Sequence, residues 1–187
     1  KLWPTVVTDH KFVLDEHGFH HWHPIAPSAR IEVSFSHPKL NWSGNAYWDS
    51  NWGARPLEED FISWDWSRAN HSGGTSILYE GLRRPHNKFS LALNIDSDGK
   101  LETFSPPELT RLANTRWWRI ARSTRTDGGQ AQVLDTLEDT PFYSRSLLRT
   151  SLSGKPLTAV HESLSLERFS SRWVQCLLPF RMPRTRR

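Results

Sequence analysis

One cysteine, Cys176, is all the thiol chemistry this 187-residue chain has. A lone cysteine excludes an intramolecular disulfide and points to a reducing compartment. It falls in an apolar run, so it is expected as a packed thiol rather than a nucleophile. Long apolar stretches are also missing. No run of about 18 apolar residues occurs, so no membrane-spanning helix is expected. The start, Lys1-Leu2-Trp3-Pro4, has neither the apolar core of a signal peptide nor an initiator Met, as expected of a truncated start. Gly-x-Ser-x-Gly, a phosphate loop and a dinucleotide fingerprint are absent, so nothing points to the hydrolases or nucleotide enzymes built on them. There is no internal repeat.

Charge of one sign is scarce except at the end. The net charge is +4, and residues 181–187 hold Arg181, Arg184, Arg186 and Arg187 with no acid. Such a tail is either a solvated terminus or a patch for anionic lipid headgroups, at about 1 kcal/mol per basic residue. The other charges are mixed rather than striped, which argues against a nucleic-acid partner.

Aromatics are plentiful. Apolar residues make up only 36% of the chain, but ten Trp and nine Phe are among them. A core of adequate size requires those rings inside. The richest segment is residues 43–68, SGNAYWDSNWGARPLEEDFISWDWSR. It interleaves Tyr47, Trp48, Trp52, Trp64 and Trp66 with Asp49, Glu58, Glu59, Asp60, Asp65 and Arg68. A core needs the rings and a solvated surface needs the acids. A concave pocket with a few polar groups needs both. Asn51-Trp52-Gly53 followed by Arg55-Pro56 reads as a turn, with Tyr47 and Asp49 on one face at the end of the preceding strand.

Along the chain the pattern is β. Residues 1–29 are broken by Pro4, Gly18, Pro24 and Pro27, with a short strand at 12–14 entering a turn. Residues 30–36 alternate as a half-buried strand, and 40–47 form the next. Residues 69–75 (ANHSGGT) read as a linker. Strands are then expected at 76–81, 89–95, 101–104, 116–125, 132–137, 143–152 and 156–164. Turns lie at Asp96-Ser97-Asp98-Gly99, Asp127-Gly128-Gly129 and Ser153-Gly154-Lys155. Leu166, Phe169, Trp173, Val174 and Leu177 share one helical face, capped by Ser165 and stopped by Pro179. Strands at this spacing suggest a barrel or sandwich.

Few groups suit chemistry. His20, His21 and His23 could supply a zinc site, but no second cysteine and no helical His-x-x-x-His pair supports one, and no metal is expected. A strand would put His20 and Trp22 on one face and His21 and His23 on the other. Glu58-Glu59-Asp60 reads as a solvated turn rather than a glycosidase pair. Leu137-Glu138-Asp139-Thr140-Pro141 reads as a corner whose acids bind backbone amides. His161-Glu162 reads as capping and salt-bridge work. Asp49, beside Tyr47, Trp48 and Trp52, is the leading candidate. Desolvation disfavours a charged carboxyl, and a protonated aspartate is a general acid. Asp65, between Trp64 and Trp66, is the second. The alternative for both is a structural aspartate paired with Arg68 or Arg30.

Gly44-x-x-Tyr47-x-Asp49-x-Asn51-x-Gly53, then Pro56-Leu57-Glu58, Phe61 and Trp64-Asp65-Trp66-Ser67-Arg68, resembles the signature of the carotenoid 1,2-hydratases (hydroxyneurosporene synthases). So do His20-His21-Trp22-His23-Pro24-Ile25-Ala26-Pro27-x-Ala29-Arg30-x-Glu32-Val33 upstream, and Leu137 to Tyr143 with Arg145-Ser146, His161 to Leu166 and Leu178 to Arg184 downstream. The resemblance implies an all-β fold of lipocalin/calycin-like antiparallel barrels with one short C-terminal helix. It implies two such domains in a complete protein that extends ahead of Lys1, residues 1–72 finishing the first and 73–187 forming the second. It implies water addition to the terminal C1–C2 double bond of an acyclic carotenoid such as lycopene or neurosporene, without a redox cofactor. Motif positions carry over to His20, Trp22, Tyr47 and Asp49 as catalytic residues. Trp48, Trp52, Trp64, Trp66 and Asp65 follow as substrate-binding residues. A polyene substrate implies docking on a membrane, peripherally and on its cytoplasmic side, helped by the 166–177 helix and the arginine tail. The alternatives are a non-catalytic carrier of an apolar isoprenoid and a terpenoid cyclase or isomerase.

Overall fold

The computed structural model describes residues 1–128 and 130–180. The arginine tail and Gly129 of the expected turn lie outside the described residues. The fold is all-β with antiparallel pairing, as expected. Two short strands, β1 (Leu2–Pro4) and β2 (Phe12–Val13), flank one side of a long strand, β3 (His20–Phe35), whose other edge pairs with β4 (Leu40–Gly53). A single helical turn, α1 (Leu57–Asp60), leads into β5 (Phe61–His71), followed by β6 (Gly74–Arg83), β7 (Lys88–Ile95) and β8 (Leu101–Thr103). A separate ribbon pairs β9 (Leu109–Leu112) with β10 (Arg122–Arg125). The chain then adds β11 (Gln132–Asp139), β12 (Tyr143–Leu152) and β13 (Lys155–Ser165), and ends in two short helices, α2 (Leu166–Phe169) and α3 (Arg172–Leu177). The larger sheet has seven strands in the order β11-β12-β13-β5-β6-β7-β8.

β5 and β6 lie in the middle of that sheet, and both faces of β6 are covered. Ile77 and Tyr79 pack on one face with Trp22, Phe61, Trp66 and Leu93. Leu78 packs on the other with Ala92 and Leu152. A strand buried on both faces reads as a continuous apolar run rather than an alternation, which is what Ile77-Leu78-Tyr79 shows.

Several expectations are corrected. Pro24 and Pro27 do not break the chain. β3 runs through them, and its register with β4 shifts between His23 and Ala26 and again between Ala26 and Ala29. Proline lacks a ladder donor and is tolerated at such bulges. Asn51-Trp52-Gly53 is not a turn but the end of β4. Of the expected 116–125 strand only Arg122–Arg125 forms. Asp139 accepts the amides of Trp117 at 2.8 Å and Trp118 at 3.4 Å, and the chain curls there instead of extending. The C-terminal helix is two helices. Ser170 and Ser171 turn their hydroxyls onto the carbonyls of Glu167 and Arg168, and Ser171 is extended (φ −72, ψ 138). Such bonds compete with helix continuation. Trp173 and Cys176 are left exposed rather than packed. Finally, six of the ten tryptophans are exposed (Trp3, Trp42, Trp48, Trp52, Trp117 and Trp173), so the core draws on fewer rings than composition suggested.

The expected linker at 69–75 is the tight end of the β5–β6 hairpin, with His71 opposite Gly74. The domain border expected after residue 72 falls in this turn. Gly74 has φ +136, and a Cβ there would lie 2.1 Å from the Ile95 carbonyl oxygen. Gly73 meets nothing closer than His71 Nδ1 at 3.4 Å. Gly74→Ala is therefore expected to cost more than about 1 kcal/mol in urea unfolding, and Gly73→Ala little. A flexible linker would tolerate both.

Candidate functional site

A cavity of about 790 Å³ lies between the β3–β4 pair and the near face of the larger sheet. Its position follows from side-chain alternation. Tyr47, Asp49 and Asn51 project from β4, Trp64, Trp66 and Arg68 from β5, Tyr79 from β6, and Val160, Glu162 and Leu164 from β13. Tyr47 packs on Trp66 with ring centroids 5.0 Å apart, and Trp64 meets Tyr79 at 5.8 Å. The walls are therefore aromatic, with a few polar groups set among them.

Asp49 is the centre of that polar set. Trp22 Nε1 donates to its Oδ2 at 2.8 Å and the Tyr47 hydroxyl donates to the same oxygen at 3.1 Å. Among the described residues Oδ1 accepts no hydrogen bond. Trp22 itself is fully buried, packed between Phe12 and Tyr79. It does not line the cavity; it holds Asp49 from behind. Burial, reinforced by Asp49, drives the Tyr47 phenol far above its ordinary range, so it remains an O–H donor. The alternative, a structural pairing of Asp49 with Arg68 or Arg30, is not made among the described residues. Arg68 donates to Asn70 Oδ1 at 2.7 Å and the Pro27 carbonyl at 3.3 Å and lies over the Tyr47 ring, while Arg30 reaches Ser43.

His20 lines the cavity, and its Nε2 meets Asp60 Oδ2 at 2.7 Å. Asp60 also accepts from Arg55, which Glu59 joins at 3.8 Å. Arg55 first, and then His20, pull the Asp60 carboxyl from its ordinary 3.8 down to about 2, against the opposing effect of burial. Asp60 was read as part of a solvated turn; the structure gives it the task of orienting His20. The ring is pinned from the other side too. A Cβ on Gly53 would fall 2.8 Å from His20 Nδ1 and 2.9 Å from the Phe19 carbonyl oxygen. The three imidazoles diverge, with His23 Nε2 on the Thr8 carbonyl and His21 stacked on Trp52 at 5.2 Å. Among the described residues no cluster of His, Cys, Asp or Glu has the geometry of a metal site.

The remaining candidates separate. Trp52 stands at the rim, while Trp48 is half exposed and outside the cavity lining. Asp65 points to the opposite face of β5, where it accepts from the hydroxyls of Ser123, at 2.6 Å, and Ser163. It thus stands outside the lining of the Asp49 cavity. Among the wall residues Tyr79 carried no local signal, and Arg145 pairs with Glu162 at 2.9 Å. Glu162 does the salt-bridge work expected of it. Asp139 binds backbone amides, also as expected.

The Asp60 contacts have a pH signature. A carboxyl whose folded pKa is depressed contributes stability above its unfolded pKa and loses it as pH falls through the folded value. In urea unfolding at stepped pH, the stability difference between the native protein and Asp60→Asn is expected to be full above about pH 4. It should shrink between pH 3.8 and pH 2, the interval between the ordinary and native values. A pH-independent difference would mean that the carboxylate charge does not hold this corner.

The chain was compared with known proteins. The family model described as "Carotenoid hydratase CrtC" matches residues 1–187. A protein named acyclic carotenoid 1,2-hydratase from Thiocapsa roseopersicina is 52% identical over 182 residues, covering 97% of this chain and 45% of the relative. One of the same name from Rubrivivax gelatinosus is 42% identical, covering 98% and 46%. Another from Cereibacter sphaeroides is 38% identical, covering 98% and 65%. The chain spans about half the length of the first two. With a match over its whole length, the chain belongs to the carotenoid hydratase CrtC family.

Proposed function

We propose that the complete protein adds water to the terminal C1–C2 double bond of an acyclic carotenoid, such as lycopene or neurosporene, and that this cavity receives the chain end. The observation that carries the reading is the asymmetry of Asp49. Both donors, Trp22 and Tyr47, converge on Oδ2, which leaves Oδ1 to carry a proton toward the cavity. In this scheme Asp49 transfers that proton to C2, and the π electrons form the new C–H bond. The positive charge is left on tertiary C1. The faces of Tyr47, Trp64, Trp66 and Tyr79 support it, since a desolvated cation over an aromatic ring gains about 2 kcal/mol or more. Water adds to C1 and loses a proton to the Asp49 carboxylate, which restores the acid. His20, fixed by Asp60, is a second proton acceptor at the wall. No step transfers electrons to or from the protein.

The family supports the same substrate class, because relatives named acyclic carotenoid 1,2-hydratase match along nearly the whole chain. We extend the reading to two lipocalin-like β domains in the complete protein. We also extend it to peripheral association with the cytoplasmic side of a membrane, where a polyene resides. Among the described residues no helix is long and apolar enough to cross one.

In the complete protein, Asp49→Asn is expected to lower formation of the water adduct by at least about 100-fold, with carotenoid binding retained. Tyr47→Phe should lose roughly tenfold through the missing hydrogen bond. The readout is liquid chromatography with mass spectrometry, where product is heavier by one water. An Asp49→Asn protein that keeps most of its activity would falsify the acid assignment. Binding without any hydrated product would favour the carrier, and an isomer of the substrate would favour a cyclase.

A further inference from the structure

A second cavity, of about 520 Å³, lies on the far face of β5, closed by residues 111–123 and α2. Four arginines line it, Arg111, Arg119, Arg122 and Arg168, against two acids, Asp65 and Glu167. Asp65 is already held by two serine hydroxyls, and Glu167 is exposed on α2.

The arginine side has no ion-paired partner among the described residues, and Arg122 feels an acid, Asp139, only through space. Arg122 is 6% exposed. Its guanidinium donates only to neutral acceptors: the Ala113 carbonyl at 2.8 and 2.6 Å, Ser146 Oγ at 2.8 Å and Thr136 Oγ1 at 3.1 Å. Arg168 likewise donates to the carbonyls of Trp118, Pro141 and Arg119. None of the four makes a salt bridge among the described residues. A buried cation without a counter-charge is costly to maintain. Arg119 adds backbone strain. It sits at φ 53, a region that non-glycine residues rarely adopt, and such outliers gather at ligand sites.

An aromatic edge adjoins the same segment. Trp117 is 73% exposed. Trp118 stacks on the half-exposed Trp173 at 6.0 Å, and its carbonyl is the one that Arg168 holds. Exposed indoles beside guanidinium groups match the layering of a membrane interface, where rings sit at headgroup level and phosphates lie alongside.

We propose that this cavity seats the phosphate of an anionic phospholipid headgroup, with Trp117, Trp118 and Trp173 entering the interface of the same leaflet. The inference rests on the membrane association proposed above and names the surface that makes it. Such an orientation fixes which face of the molecule meets the bilayer, and leaves the Asp49 cavity on the other side of β5.

The test is co-sedimentation with vesicles of phosphatidylcholine, with and without phosphatidylglycerol, and without carotenoid. Partition onto the anionic vesicles is expected for the native protein. Arg111→Gln/Arg119→Gln and, separately, Trp117→Ser/Trp173→Ser should each lower it roughly tenfold. All four positions are exposed, so circular dichroism should show unchanged folding. Arg30→Gln/Arg84→Gln removes the same charge elsewhere and should have little effect. An equal loss in that control would reduce the effect to general electrostatics and overturn the proposal. So would inorganic phosphate that binds calorimetrically through Arg111 and Arg119 while vesicle partition is indifferent to them, since the cavity would then be a free-phosphate site. Partition that ignores both test variants overturns this surface alone. Failure of the native protein to bind any vesicle overturns the membrane reading with it. Neither outcome touches the hydration chemistry, which is read with carotenoid at Asp49.

Discussion

Side chains on an extended strand alternate, and on β5 that rule divides the molecule. Trp66 and Arg68 line the first cavity, Ser63 and Asp65 line the second, and Trp64 borders both. One strand is thus the common wall of an aromatic chamber and a cationic one. A single-residue slip of β5 against β6 or β13 would exchange the two sets, so the hairpin at His71–Gly74 and the pairing of Trp66 with Tyr79 and Glu162 set register for both. The neighbours obey the same division. Glu162 and His161, adjacent on β13, face opposite ways: Glu162 lines the aromatic chamber, and His161 sits beside Asp65 on the far face, where burial lowers its pKa and its ring meets the Ser123 carbonyl.

The aromatic chamber owes its polarity to the β3–β4 pair. A carboxylate set among indoles needs donors. Here they come from a buried Trp22 one strand away and from Tyr47 two residues upstream. Neither donor carries a charge, so the pair orients Asp49 without locking it into a salt bridge. That distinguishes it from Asp60, which shares its oxygens between Arg55 and His20 and is held as an anion. The carboxylate on the cavity wall and the one that holds His20 therefore do different work: Asp49 is held by neutral donors, Asp60 by Arg55 and His20.

Much of this was legible in the sequence, and the exceptions have physical causes. The all-β class, the hairpin turns and the Tyr47–Asp49 pairing all follow from local periodicity, which survives folding. The same two-residue rule applied to Trp64-Asp65-Trp66 would have parted Asp65 from its neighbours; reading the segment by composition hid this. The Asp60–His20 contact spans 40 residues and no local pattern reports it. Residues 116–125 alternate like a strand, but Asp139, remote in sequence, captures the amides of Trp117 and Trp118. Pro24 and Pro27 looked like breakers because a proline's tolerance depends on whether its neighbour strand supplies a bulge.

Gly53 carries a consequence for how this protein can change over generations or in a laboratory library. Any side chain there meets both the His20 ring and the Phe19 backbone oxygen, and only the ring can turn away. Turning it would detach it from Asp60, and with it the Arg55 corner that closes the cavity. The position is closed to gradual substitution, so variation in cavity shape is directed to walls that have freedom to move, such as Leu57, Leu137 and Leu164. Diversity in what the chamber admits should accumulate on that aliphatic side, while the imidazole side is inherited as one block.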